Sequence, residues 1–136
     1  MILERDFPAT QTAYTDAAAW LEETLENINC PMKLIMQISM CFEEAFINIA
    51  SYAYDHKDGT AKCIVSYEDG LVTLELRDKG KPFDPLAKPD PDVTQKPEDR
   101  KIGGLGIYLV KQLMDKVTYE RKNGENILKF TKKTTA

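Results

Sequence analysis

Two dipeptides, Asp69-Gly70 and Asn123-Gly124, restrict the folding of this chain more than any other feature. A type I′ turn needs φ > 0 at both central residues, which Asp, Asn and Gly accept at low cost, and each pair joins two segments of β-type patterning. Two hairpins are therefore predicted, Thr60 to Glu68 with Leu71 to Asp78, and Val117 to Lys122 with Glu125 to Thr131. Elsewhere the apolar period is helical. Tyr14, Ala17, Leu21, Leu25 and Ile28 place one helix over Gln11 to Asn27, and Pro31 suits the start of a second that runs from about Met32 to Tyr54. On that second helix Leu34, Ile38, Phe42, Ala45, Ile49 and Tyr52 form the expected apolar stripe. Ile107, Val110, Leu113 and Met114 mark a third, short helix that starts near Ile107. With a strand at the amino terminus, the order β, α, α, β, β, loop, α, β, β predicts an α/β (α+β) two-layer sandwich, a sheet covered on one face by helices.

A length of 136 residues fits one domain over 1–136, large enough for a core that needs no disulfide or structural metal. Eighteen Lys and Arg against 22 Asp and Glu leave a formal charge of -4, which disfavours direct nucleic-acid binding. No apolar run is expected to reach a membrane span, and the amino terminus has no basic, signal-like region. Cys30, Cys41 and Cys63 are widely spaced and form no zinc pattern with the only histidine, His56, so reduced, buried thiols and a cytoplasmic location are expected. His56 itself reads as a solvated turn residue.

Between Lys81 and Ile102 neither period holds, and five of the chain's seven prolines gather there. A loop this long in a small domain is usually a lid, a binding loop or a disordered segment. Three motifs flank it. Glu44 and Asn48 are four residues apart and project from nearly the same side of the second helix, a polar edge that suits either a partly dry cavity or ordinary solvent. Asp78 shares its strand face with Val72, Leu74 and Leu76 and so points toward the core. A buried carboxylate needs hydrogen-bond donors, and at a strand end before Lys79-Gly80 it suits a ligand's donor, such as the exocyclic amine of adenine rather than the oxygen of guanine. An Asp that merely caps its own turn has the same local sequence. Gly103-Gly104-Leu105-Gly106 opens the third helix, where close backbone approach and unpaired amides favour phosphate. Neither a P-loop nor a Rossmann fingerprint fits this run.

In this order the three motifs resemble the ATPase domain shared by Hsp90-type chaperones, type II topoisomerases, MutL proteins and sensor histidine kinases, the GHKL or Bergerat ATP-binding fold. The resemblance covers almost the whole chain. Glu44-Ala45-Phe46-Ile47-Asn48 is similar to its N box, Asp78-Lys79-Gly80 to its first Gly box and Gly103-Gly104-Leu105-Gly106 to its second. With Pro82-Phe83-Asp84 after the first box and Ile107-Tyr108-Leu109-Val110 after the second, the chain most resembles the serine-protein kinase anti-sigma factors.

That resemblance implies a mixed, mostly antiparallel sheet, a lid at about 81–102, and ATP with Mg2+ as ligands. Glu44 would be the catalytic base, Asn48 the Mg2+ ligand and Asp78 the acceptor for adenine. Gly80 and Gly103 to Gly106 with Leu105 would wrap the nucleotide, and Arg100 or Lys101 would reach the γ-phosphate. The implied activity is ATP-dependent serine/threonine phosphorylation of a small anti-sigma factor antagonist of the STAS type, combined with binding of a sigma factor, so that transcription is regulated by partner switching. The family also implies a homodimer, and the expected lack of a membrane-length apolar run implies no membrane partner. An ATP-binding interaction module without kinase activity, acting through lid closure, is the competing reading. Two positions depart from the family pattern. Tyr52 stands where the N box usually carries a basic residue or His, and Lys81-Pro82 replaces the second glycine of the wider superfamily.

Overall fold

A computed structural model of the chain describes residues 1–55, 57–87 and 104–134. Within them run β1 (Ile2–Pro8), α1 (Tyr14–Asn27), α2 (Met32–Asn48), β2 (Thr60–Glu68), β3 (Leu71–Asp78), α3 (Gly104–Leu113), β4 (Lys116–Lys122) and β5 (Glu125–Lys133). A π-helical turn, Ile49–Ala53, continues α2, and a 3-10 turn, Pro85–Ala87, lies beyond β3. The five strands form one sheet in the order β1-β2-β3-β5-β4, and every pairing among the described residues is antiparallel.

Both predicted hairpins form with the expected turn backbone. Asp69 and Gly70 have φ of 52° and 77°, and Asn123 and Gly124 have 54° and 77°. Helix α1 starts at Tyr14 rather than Gln11, after a turn in which the Thr10 hydroxyl accepts from the Ala13 amide. It ends in a Schellman arrangement. Asn29 takes the left-handed conformation at φ 59°, its amide donates to Glu26, and the Cys30 amide donates to Leu25. Pro31 then stands one place before α2, and its carbonyl accepts from Leu34 and Ile35.

Alternation along the strands decides which sheet face is covered. Ala61, Cys63 and Val65 of β2, Val72, Leu74 and Leu76 of β3, and Phe130 of β5 are buried with Leu21 and Leu25 of α1, Ile38, Phe42 and Phe46 of α2, and Val110 of α3. Burying each large side chain of this kind is worth about 1.5–3 kcal/mol. Tyr14, Phe42 and Phe46 pack as a ring cluster at the helix layer, with centroids 5.6–6.1 Å apart. On the opposite face Glu75 is only 8% exposed, because Arg77 and Lys129 pair with its carboxylate.

Two expectations about the second helix change. The α-helix stops at Asn48, and the π-helical turn rotates the residues beyond it, so Tyr52 is 55% exposed instead of completing the buried stripe. Met32–Ala53 is also long and apolar enough to cross a membrane by length and composition alone, although no such run was expected. In this fold Ile35, Ile38, Cys41, Phe42, Ala45 and Phe46 bury one side of it in the core. All three cysteines are buried and free. Burial raises the thiol pKa of Cys41 to about 11 and of Cys63 to about 12.

Candidate functional site

Glu44 and Asn48 do share one edge of α2, one turn apart, and the Asn48 Nδ2 donates to Glu44 Oε1 at 3.2 Å. With its nitrogen committed to the carboxylate, the Asn48 amide keeps an oxygen acceptor for another partner. Both side chains are half-buried. The π-helical turn begins at the next residue. Such turns interrupt the regular backbone ladder and are frequent at functional sites. Here the Ala53 carbonyl accepts from the Lys81 amide at 2.9 Å, stitching the end of the helix to the residue after Gly80. Gly80 has to be glycine for this approach, since a β-carbon there would run into the Ala53 carbonyl oxygen.

Asp78 ends β3 with its side chain on the covered face and is 5% exposed. Its Oδ1 accepts from the Gly80 amide at 3.0 Å and from Asn126 Nδ2 at 2.9 Å. Among the described residues no hydrogen bond reaches Oδ2. Burial raises the carboxyl pKa above its ordinary value, and Glu125 adds to the rise, while the bonds from Asn126 and Gly80 and the charge of Arg121 oppose it. Arg121 also donates to the Gly80 carbonyl at 2.8 Å. On the other side the Tyr54 hydroxyl accepts from the Lys79 amide at 2.8 Å and donates to the Thr60 carbonyl at 2.6 Å. The turn after β3 is thus held from both flanks.

Helix α3 starts at Gly104, so Gly104, Leu105 and Gly106 form its first turn instead of preceding a helix that begins near Ile107. The amides of a first turn have no partner within the helix, and the helix dipole makes that end favourable for anions. Gly106 lies directly against Glu44, close enough that a β-carbon would overlap the carboxylate. This contact brings the predicted N box and second glycine motif together.

An open cleft lies between these elements. Asn48 and Asp78 both line it, as do the apolar side chains of Ala45, Ile49, Leu76, Ile107, Val110 and Phe130. An apolar slot with a few convergent polar groups is the ordinary form of a small-molecule site. Tyr52 lines the cleft as well, despite its exposure.

The structure therefore brings Glu44, Asn48, Asp78, Gly80 and Gly106 into one region. Arg100, Lys101 and Gly103, most of the expected 81–102 lid, and His56 lie outside the described residues. Sequence reasoning missed Asn126, Tyr119 and Arg121, which surround Asp78 from the second hairpin. A signal for Asn126 existed. It shares a strand face with Leu128 and Phe130, and a polar residue on a core-facing position needs a hydrogen-bonding reason to be there.

Residues 7–132 match the histidine kinase-like ATPase domain family, and the chain belongs to it. Within that family its relatives include protein kinases and anti-sigma factors. The serine/threonine-protein kinase BtrW of Bordetella bronchiseptica is 28% identical over 127 residues, covering 93% of this chain and 89% of that protein. The anti-sigma F factor of Clostridium acetobutylicum is 28% identical over 120 residues, covering 88% and 78%. The serine-protein kinase RsbW of Halalkalibacterium halodurans is 34% identical over 102 residues, covering 72% and 62%. A crystal structure of RsbU and RsbW domains from Mycobacterium tuberculosis shares the fold, with a TM-score of 0.69 at 19% identity over 98% of this chain and 32% of that one.

Proposed function

We propose that this protein is an ATP-binding anti-sigma factor that phosphorylates a serine or threonine of a small antagonist protein. The observation that carries the reading is the meeting of Glu44, Asn48 and Gly106 at the start of α3, beside a cleft that Asp78 also lines. Adenine fits the Asp78 end, where the apolar walls accept a planar ring and Oδ2 accepts from the exocyclic amine. The phosphates then extend toward the first turn of α3, whose amides and dipole favour negative charge. Arg100 and Lys101, which precede that turn in sequence, supply the cations assigned to the γ-phosphate in this reading.

Glu44 serves as the base. The substrate hydroxyl oxygen forms a bond to the γ-phosphorus as the bond to the β–γ bridging oxygen breaks, ADP departs, and the hydroxyl proton passes to the Glu44 carboxylate. Because phosphoryl transfer rests mostly on positioning and charge neutralisation, the hydrogen bond from Asn48, which orients the carboxylate, belongs to the mechanism. Mg2+ fits the Asn48 oxygen, since this ion takes most of its remaining ligands from phosphate and water, and it would neutralise charge on the transferred group. Among the described residues no three His, Cys, Asp or Glu side chains gather into a separate metal site.

The partners in this reading are a STAS-type antagonist as phosphoacceptor and a sigma factor as the protein held in check. A homodimer in the cytoplasm completes it. The test is transfer of labelled phosphate from ATP to candidate antagonists, with Glu44→Ala as control. Transfer by the wild type and none by the variant supports the proposal. Tight ATP binding with no antagonist labelled would leave a binding module and refute the kinase.

A further inference from the structure

Asn126 stands opposite Asp78 in the β3–β5 register and is 6% exposed. Its Nδ2 donates to Asp78 Oδ1 at 2.9 Å and to the Lys81 carbonyl at 2.8 Å. Its Oδ1 accepts from the Phe83 amide at 3.2 Å and from the Tyr119 hydroxyl. A side-chain amide offers two donors and two acceptor lone pairs, so these four partners use all of it. Nothing remains with which Asn126 could read a ligand itself, although it lines the cleft.

The four partners divide into three parts of the site. One is the carboxylate, two are backbone groups of the segment that leaves β3, and the fourth is on β4. Both bonds on Asp78 fall on the same oxygen, and two donors on one oxygen hold a carboxylate in a single rotation. Phe83, one of the clamped residues, and Pro85 just beyond it form part of the cleft wall.

We propose that Asn126 is a positioning residue for base discrimination, turning Asp78 so that Oδ2 meets the cleft and tying that carboxylate to the Lys81–Phe83 backbone at the rim. The inference rests on the ATP reading of the cleft. Loss of Asn126 leaves Oδ1 with the Gly80 amide alone and releases the rim, so the carboxylate no longer meets an exocyclic amine in one geometry.

The experiment compares binding of ATP with that of inosine triphosphate, which carries an oxygen in place of the amine, by calorimetry on wild type, Asn126→Ala and Tyr119→Phe. A hydrogen bond to a charged group is worth enough that its loss costs about tenfold or more in affinity. Asn126→Ala should therefore bind ATP about tenfold more weakly while its inosine triphosphate affinity stays within about threefold, so the preference for ATP collapses. In an Asp78→Ala background the same change should leave the preference where it is, because a positioning residue acts only through what it positions. If both nucleotides weaken equally, Asn126 is only structural, and if neither changes it is dispensable; either result overturns the inference and leaves the ATP reading standing. A wild type that binds neither nucleotide refutes the ATP reading, and the inference falls with it. Should Asn126→Ala not fold, Tyr119→Phe decides, since it removes one of the four bonds and should lower the preference by about two- to fivefold. An unchanged preference in Tyr119→Phe overturns the inference.

Discussion

Gly106 packs so tightly against Glu44 that any β-carbon at position 106 would overlap the carboxylate. The obstructing atoms are the far end of a flexible side chain, so a substitution there displaces the carboxylate and spares the backbone. Gly106→Ala should keep the fold, and its melting temperature should hold or rise slightly, because Ala is favoured over Gly in a helix by about 1 kcal/mol. Phosphate transfer should fall at least about tenfold while ATP binding changes little, as expected when a positioned acid–base group worth about 10²–10⁴-fold is moved. Full transfer activity in this variant would disprove the role given to Glu44.

Asp78→Asn separates folding from recognition at one position. The side-chain oxygen that this variant keeps can still accept from Gly80 and Asn126, so the turn should survive, but its new amide nitrogen would face the adenine amine donor with another donor. ATP binding should drop by about 100-fold, since a buried donor left unpaired costs about 1–3 kcal/mol and a lost charged bond a similar amount. Retained tight binding would place the base elsewhere.

The raised pKa of Asp78 gives a pH dependence with a definite sign. Folding favours the protonated form of this group, so its contribution to stability is fully present below the ordinary Asp value of 3.8 and is lost as pH rises through the higher folded value. At neutral pH the buried charge is a cost, and Asp78→Asn should be at least as stable as wild type there. ATP affinity runs the other way. It needs the ionised carboxylate and should decline on acidification at a pH above that of an ordinary Asp, a decline that calorimetry across pH would detect and that Asp78→Asn should not show.

Gly80→Ala tests the seam between the π-helical turn and the turn after β3. The obstacle there is the Ala53 backbone carbonyl, which cannot move without disturbing its bond from Lys81. Forced overpacking of this kind costs about 1–3 kcal/mol, so chemical denaturation should show a loss in that range together with weaker ATP binding. An unaffected midpoint would mean that the seam yields freely.

Buried thiols at pKa values of about 11 for Cys41 and about 12 for Cys63 should resist alkylation in the folded protein near neutral pH. Counting modified cysteines by mass spectrometry before and after denaturation checks this. Rapid labelling of Cys63 in the native protein would contradict its place under the helix layer.

Much of the site could be read along the chain because its motifs are short and sit at element boundaries. The spacing of Glu44 and Asn48 required only a helix, and the inward direction of Asp78 only a strand. The departures arise where one element leans on another. Tyr52 obeys the helical period, yet the π-helical turn after Asn48 turns it outward, and Gly104 reads as a loop residue until the first turn of α3 is seen to begin there. Asn126 shows along the chain only as a polar residue on a core-facing strand position, and its partner appears when β5 pairs with β3 and sets it opposite a buried carboxylate.

By itself the sequence determined the elements and their turns. Apolar period and the low cost of positive φ at Asp69-Gly70 and Asn123-Gly124 act over a few residues and need no distant partner. Only the tertiary structure decided that β5 lies beside β3, that Gly106 meets Glu44, and that Asn126 holds both Asp78 and the cleft rim. These are contacts between residues roughly 40 to 60 positions apart, selected by which packing buries the most apolar surface while pairing most of the buried polar groups, a condition no local pattern encodes.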